Sequence, residues 1–155
     1  MKINIVTLGK LKEKYWQDAE QEYLKRLSVF TKINIIELKE EKFDEKSNHE
    51  VIKTKEAEKI LKAIPKDSYV IVLDKEGNQS SSEKFSSKLI ELKNSSTEIT
   101  FIIGGPLGLS ESILDVAKEK ISFSKLTFTH QMMRVILLEQ IYRSFMISED
   151  RKYHW

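Results

Sequence analysis

The sequence predicts an α/β fold in which a mostly parallel sheet is covered by helices on both faces. Short apolar runs alternate along the chain with amphipathic stretches of helical period, which is typical of parallel strands joined by helical crossovers. Tyr69 to Leu73 is continuously apolar, as expected of a strand buried on both faces, and Ile99 to Ile103 is the next buried strand. No repeat or linker interrupts the pattern, so we expect one domain over residues 1–155.

The first half of the chain is predicted to contain two strands and two helices. Apolar alternation at Ile3, Ile5 and Thr7 indicates the first strand. Apolar residues then recur at spacings of three and four, which indicates a helix with one buried face. The predicted elements are a strand ended by Gly9, a helix from about Lys12 to Phe30, a strand from Lys32 to Leu38, a solvated charged loop from Lys39 to Glu50 and a helix from Val51 to Ile64.

The second half adds elements whose starts are marked by capping residues. Ser80 with Glu83 forms a capping box, and Ser110 and Thr129 are suitable N-caps for two further helices. The predicted elements are the strand from Tyr69 to Leu73, a helix from Ser80 to about Lys93, the strand from Ile99 to Ile103, a short helix from Ser110 to Lys118, a strand from Ile121 to Phe123 and a long helix opening at Thr129.

Three loops, after Leu73, Ile103 and Phe123, follow predicted strand ends, where open parallel sheets bind small ligands. The second loop begins with GGPLG, from Gly104 to Gly108, whose spacing matches neither a dinucleotide fingerprint nor a P-loop. From the residue types alone, a purely structural turn is the default explanation of these glycines.

Composition excludes several classes of protein. The chain has 155 residues, of which 40% are hydrophobic and 32% charged, an ordinary globular mixture. No apolar run approaches the ~18 residues of a membrane span, so we expect a cytoplasmic protein that does not contact membranes. Cysteine is absent, which excludes disulfides, thiolate zinc sites and cysteine nucleophiles. The net charge of +2 is far from that of a dedicated nucleic-acid-binding domain.

Charge is nevertheless uneven along the chain. Three of the four arginines, Arg134, Arg143 and Arg151, lie near the C-terminus. From Lys120 onward the sequence contains six basic residues and three acidic ones. Arginine forks suit phosphate or base carbonyls. Intrahelical salt bridges, such as one from Glu139 to Arg143, explain the same excess and are preferred on residue types alone.

Segments spread over nearly the whole chain resemble the RlmH-type SPOUT methyltransferases, small bacterial enzymes that methylate a pseudouridine of 23S ribosomal RNA with S-adenosylmethionine. The block from Ser122 to Arg143 combined with a closing Tyr-His pair is the most specific part of the resemblance. The segments are NIVTLGKLKEKYW (Asn4 to Trp16), VLDKEG (Val72 to Gly77), IIGGPLGLS (Ile102 to Ser110), SFSKLTFTHQMMRVILLEQIYR (Ser122 to Arg143) and Tyr153-His154.

The resemblance implies a C-terminal trefoil knot, no appended RNA-binding domain, and methylation of the N3 atom of a pseudouridine, on the assembled ribosome. It also implies that adenosylmethionine is the methyl donor and that no metal takes part. Lys125 is an awkward member of a sulfonium pocket, so we expect it to point outward or toward the donor's carboxylate. The donor-binding residues carried over are Leu73, Gly104, Phe123, Ser124, Lys125, Leu126, Thr127 and Phe128.

For catalysis, the resemblance points to Tyr153, His154 and Arg143. A uracil-type nitrogen keeps its proton at neutral pH, so a positioned base is required, and His154 is the candidate, reaching the donor pocket of a partner subunit. Arg143 is the candidate for holding phosphate or a base carbonyl. His130, at the start of the long helix, is expected to have a structural role, whereas Trp155 could stack on a base.

The long helix carries two apolar surfaces, which predicts either a helix covered all round by its own chain or a subunit interface. Because the resembling enzymes are dimers through this helix, we expect a homodimer. The first surface comprises Val135, Leu138, Ile141, Tyr142, Phe145 and Met146, and the second Met132, Met133, Ile136 and Leu137.

Two other functions stay open on the sequence. One is a related SPOUT enzyme that methylates tRNA ribose, and the other is a noncatalytic RNA- or nucleotide-binding module on a similar sheet. The expected absence of an appended RNA-binding domain favours a substrate such as the assembled ribosome, whose shape supplies recognition, over free tRNA.

Overall fold

A computed structural model describes residues 1–95 and 97–153 and contains one sheet of five strands. The strand order is β2-β1-β4-β3-β5, and every neighbouring pair is parallel. The predicted α/β class and parallel sheet are therefore confirmed. The elements are β1 Lys2–Leu8, α1 Lys14–Leu27, β2 Lys32–Leu38, α2 His49–Ala63, β3 Tyr69–Asn78, α3 Ser82–Asn94, β4 Ile99–Ile103, α4 Glu111–Val116, β5 Glu119–Ile121 and α5 His130–Ser148.

Helices cover both faces of the sheet, as predicted. Helices α1, α3 and α5 pack on one face around Phe101 and Phe145, whereas α2 and α4 pack on the other around Val72 and Ile113. All four of these side chains are at most 1% exposed. Of the helices in residues 1–95 and 97–153, none has both the length and the apolar composition needed to cross a membrane.

Several predicted boundaries were wrong by one or two residues. The hydroxyl that caps α3 belongs to Ser81 rather than Ser80, accepting a hydrogen bond from the Lys84 amide at 3.3 Å. His49, assigned to the charged loop, is the first residue of α2, although it is exposed as expected. The last strand is Glu119–Ile121 instead of Ile121 to Phe123, because its polar first two residues pair with Ile71 and Val72 of β3.

The assignment of Leu137 to an external surface of the long helix was also wrong. Leu137 is fully buried, and Met133 packs against the same core. Helix α5 lies on the sheet with α1 and α3 also in contact with it, so its own chain covers more than one side. Met132, Val135 and Ile136 are only partly buried and form the remaining apolar surface of α5.

Strand β3 runs past the cleft-forming end of the sheet, and Gly77 makes this possible. A Cβ atom at Gly77 would lie 2.6 Å from the carbonyl carbon of Ile121 and 2.8 Å from that of Lys120. No side chain fits there, because both neighbours are backbone. Gly77 therefore allows the extension of β3 to cross β5 closely. The trefoil knot implied by the resemblance stays a prediction.

Arg134 lies inside the protein, which its place in the basic C-terminal excess did not suggest. It is 3% exposed and forms ion pairs with Glu20 of α1 and Glu37 of β2, the latter at 2.8 Å. A buried charge requires such partners, because desolvation is otherwise too costly. Arg134 thus joins α5 to α1 and β2, and it is not available for contacts with phosphate.

Candidate functional site

A cleft of about 820 Å³ opens at the carboxyl ends of β4 and β5, beside residues 73–75 of β3, and we name it the strand-end cleft. Its walls come from the loops after β4 and β5, from the first turn of α5 and from β3 itself. The prediction of a loop directly after Leu73 was wrong, because β3 continues to Asn78. The lining residues are Leu73, Asp74, Lys75, residues 103–109, residues 121–124, residues 126–131 and Met133. This volume is in the range of small-molecule sites.

The strand-end cleft brings together seven of the eight predicted donor-binding residues. Lys125 is the exception, because its side chain is exposed and does not line the cleft. This placement agrees with the expectation that its ammonium group points outward. The seven lining residues are Leu73, Gly104, Phe123, Ser124, Leu126, Thr127 and Phe128.

The glycine turn is shaped by packing within the turn itself. A Cβ atom at Gly104 would lie 3.0 Å from Cγ of Leu109, so a larger residue would press on the Leu109 side chain. Gly108 has a φ of 78° and donates its amide to the Gly105 carbonyl at 3.0 Å. The turn therefore presents a bare backbone edge in a defined conformation.

The serine-rich loop holds its own shape while presenting apolar groups. Ser122 Oγ donates to the Ser124 carbonyl at 2.8 Å, and Ser124 Oγ accepts from the Leu126 amide at 2.9 Å. Leu126 is 73% exposed and Phe128 39% exposed, although both belong to the cleft wall. Exposed apolar side chains on a braced loop are suited to covering an aromatic ring such as adenine.

His130 occupies the first position of α5, directly after the N-cap Thr129. Its Nε2 atom is buried and has no hydrogen-bond partner among the described residues. Burial lowers the pKa of this imidazole, so it is neutral at physiological pH. His130 is among the residues that line the cleft, whereas its Nε2 atom lies beside Gly9, which is not among them.

Two of the three predicted catalytic residues lie together in a second cluster. Nε and Nη2 of Arg143 donate to Oε1 of Glu139 at 3.0 and 2.5 Å, and the guanidinium stands 5.1 Å from the ring centroid of Tyr153. The Tyr153 hydroxyl donates to the same carboxylate oxygen at 3.4 Å. The expected Glu139–Arg143 salt bridge is confirmed, and it also holds Tyr153. His154 and Trp155 lie outside the described residues.

Local electrostatics fix the protonation of this cluster. The hydrogen bond to Glu139 raises the pKa of Arg143, which keeps its charge. Burial, followed by the hydrogen bond with Tyr23, raises the pKa of Tyr153 far above its ordinary value. Tyr153 also packs edge-to-face on Tyr142, with ring centroids 4.9 Å apart. Its hydroxyl therefore keeps its proton at neutral pH and acts as a donor, not as a base.

The strand-end cleft lies at the N-terminal end of α5, whereas the cluster lies toward its C-terminal end. Met133 lines the cleft, and Arg143 follows it after 10 residues of continuous helix. At a rise of 1.5 Å per residue this places them about 15 Å apart along the axis. Arg143 and Tyr153 are therefore remote from the strand-end cleft of their own chain.

Known proteins resemble the chain over its whole length. A family model described as "Predicted SPOUT methyltransferase" matches residues 1–154. The ribosomal RNA large subunit methyltransferase H of Clostridium acetobutylicum is 50% identical, and the putative protein of that name from Methanococcus maripaludis is 52% identical. That of Halothermothrix orenii is 47% identical, and in each case the match covers 99% of both chains. The chain therefore belongs to the SPOUT methyltransferase family.

Proposed function

We propose that this methyltransferase transfers a methyl group from S-adenosylmethionine to the N3 atom of a pseudouridine in 23S ribosomal RNA, on the assembled ribosome. The observation that carries the proposal is the strand-end cleft, where seven residues expected to bind the donor meet in one cavity of about 820 Å³. The names of full-length relatives support ribosomal RNA of the large subunit as the substrate.

The residues of the cleft fit adenosylmethionine. Leu73, Phe123 and Leu126 supply apolar walls for adenine, and the Gly104 turn supplies backbone groups. When bound, the donor supplies an electrophilic methyl group on a sulfonium, so the protein does not need a nucleophile of its own.

The task left to the protein is to orient the base and to remove its proton. We assign proton removal to His154, because an imidazole titrates near neutral pH whereas Tyr153 holds its proton. Arg143 is charged and partly exposed, which suits it to a phosphate or a base carbonyl. Tyr153, held between Arg143 and Tyr142, positions the end of the chain.

This assignment requires a homodimer in which one subunit supplies the cleft and its partner the catalytic cluster. Within one chain, about 15 Å of helix separates Met133 in the cleft from Arg143 in the cluster. The partly buried Met132, Val135 and Ile136 lie on the same helix and supply an apolar surface for a second copy. Sedimentation should give a dimer at micromolar concentration, and Ile136→Glu should give monomers. A wild-type monomer would contradict the homodimer.

Donor binding is tested by calorimetry with adenosylmethionine. Leu126→Glu should weaken binding at least tenfold, because it places a carboxylate in the cleft wall where adenine is expected. The matched control is Val29→Glu, which makes the same change at a residue that is 77% exposed, on a turn outside the cleft lining. Equal binding by wild type and Leu126→Glu would place the donor elsewhere.

The RNA substrate is tested with adenosylmethionine that carries a labelled methyl group. The label should enter 23S rRNA of assembled ribosomes and not tRNA. Label recovered in tRNA ribose would favour the other SPOUT reaction, and donor binding without transfer to any RNA would favour a noncatalytic module.

A further inference from the structure

Residues 10–15, which join β1 to the first turn of α1, form an exposed basic surface that we name the lysine loop. Lys10, Lys12 and Lys14 are all exposed, and with Glu13 they give the segment a net charge of +2. The side chains of Lys12 and Lys14 are 68% and 85% exposed. The protein as a whole also carries only +2, so this segment is a local concentration of positive charge.

The lysine loop is fixed in place beside the strand-end cleft. Leu11, 6% exposed, anchors the loop in the protein, and its carbonyl accepts a hydrogen bond from Nε2 of Gln17 at 2.9 Å. The Lys12 amide donates to Oε1 of Gln131 at 2.8 Å, and Gln131 lines the cleft. The lysines therefore stand at the rim of the cleft, and ordering them on a ligand costs little backbone entropy.

Their charges are available to a ligand. Lys12 contacts Glu40 at 3.8 Å and Lys14 contacts Asp18 at 3.0 Å; the second pair is solvent-exposed, and in the first the lysine is exposed and Glu40 half-buried. Such pairs contribute about 0–1 kcal/mol, so a phosphate can replace the carboxylate at little cost. Within residues 1–95 and 97–153, Lys10 has no ion-pair partner.

An aromatic ring completes the surface. Tyr15 is 63% exposed, and the edge-to-face contact with Trp16, at 5.1 Å between centroids, holds its ring. Proteins that bind single-stranded nucleic acid combine basic side chains along the backbone with aromatic rings on which bases stack. A fixed, exposed tyrosine among three lysines at the rim of the cleft has this composition.

We propose that the lysine loop binds the single-stranded RNA that flanks the target nucleotide, with Lys10, Lys12 and Lys14 on phosphates and Tyr15 stacked on a base. The inference rests on the proposed function, because it takes the cleft as the place of methyl transfer. It identifies a substrate-binding surface on the subunit that also supplies the donor cleft.

The test measures binding to a fluorescein-labelled, unstructured 15-nucleotide RNA by anisotropy between 50 and 200 mM KCl. In a triple variant, Lys10→Gln, Lys12→Gln and Lys14→Gln, the negative slope of log K against log salt should become shallower by about 2. Each cation on a single strand contributes about 0.7 to the steepness of this slope. The matched control is Lys55→Gln, Lys62→Gln and Lys66→Gln, which removes the same charge from exposed positions on and after α2 and should leave the slope unchanged.

Stacking is tested separately. Tyr15→Ala should weaken RNA binding by about 5- to 100-fold without changing the salt slope, and Tyr15→Phe should restore the affinity. The proposal would be overturned if the control triple variant reduced the salt slope as much as the lysine-loop triple variant. It would also be overturned if neither the lysine-loop triple variant nor Tyr15→Ala changed the affinity for RNA. Calorimetry with adenosylmethionine separates failure of this inference from failure of the proposed function. The lysine-loop variants should bind the donor normally. A wild-type protein that does not bind the donor would contradict the proposed function alone.

Discussion

The Nε2 atom of His130 lies over the backbone of Gly9, 3.2 Å from the position that a Cβ atom would occupy. Gly9 has a φ of 78° and ends β1, whereas His130 begins α5, so the contact joins the first strand to the wall of the cleft. Glu40 approaches the same position at 3.1 Å. A glycine is thus required here both for its conformation and for the space above it.

Gly9→Ala should destabilise the protein more than Gly108→Ala does. Both glycines have a φ of 78°, and a left-handed alanine costs about 1–2 kcal/mol at either position. An alanine at position 108 would place its Cβ in open space, whereas an alanine at position 9 would also displace the side chains of His130 and Glu40. Urea denaturation of the two variants checks the difference, and equal losses would show that the His130 contact has no energetic effect.

His130 should make the protein less stable in mild acid. Its folded pKa lies below the ordinary 6.5, because burial and the neighbouring Lys12 and Arg134 outweigh Glu40. The unfolded chain therefore binds the proton first, so stability is full above about 6.5 and falls as the pH drops toward the folded pKa. His130→Asn should lose less stability between pH 7 and 5, with an NMR titration of His130 below 6.5 as the direct check. A midpoint above 6.5 would refute the assignment.

Gly77→Ala should be strongly destabilising. Its Cβ would lie 2.6 Å and 2.7 Å from backbone atoms of Ile121, which cannot move as a side chain can. We expect a loss of about 3 kcal/mol or more, in the range of severe overpacking. Gly105→Ala is the matched control, since its closest neighbour is the end of Leu8 at 3.4 Å. Similar midpoints of urea unfolding for the two variants would show that the β3–β5 crossing is looser than described.

Catalysis across the dimer is tested by mixing two inactive variants. Leu126→Glu damages the cleft, and deletion of residues 153–155 removes the end of the chain, so neither alone should transfer methyl groups. Each heterodimer should regain one complete site, because one subunit has an intact cleft and its partner an intact tail. Purified heterodimers without activity would place cleft and tail on the same chain. His154→Ala should lower the rate by about 10² to 10⁴ if it is the general base.

The sequence predicted the elements whose pattern is local. Strand β2 was bounded correctly because the pattern from Lys32 to Leu38 is set by its own residues. Strand β5 was misplaced because Glu119 and Lys120 are polar, although they pair with Ile71 and Val72 of β3. Leu137 was assigned to the wrong surface because α5 contacts the sheet, α1 and α3. Residues on more than one side of this helix are therefore buried.

For the candidate site, the residues that meet in the cleft came from the resemblance and not from periodicity. The interior position of Arg134 could not be predicted, because its partner Glu20 lies 114 residues away in sequence. The unpartnered Nε2 of His130 was missed for a similar reason, since its burial depends on Gly9 from the other end of the chain. Long-range contacts of this kind leave no spacing to recognise.

Labelling of assembled ribosomes tests most directly whether the strand-end cleft serves methylation of a ribosomal pseudouridine. Ribosomes prepared with and without their pseudouridines are incubated with the enzyme and adenosylmethionine carrying a labelled methyl group. We expect label in 23S rRNA of the pseudouridine-containing ribosomes, none in the others, and none with Leu126→Glu. Equal labelling of both preparations, or full labelling by Leu126→Glu, would contradict the proposed function.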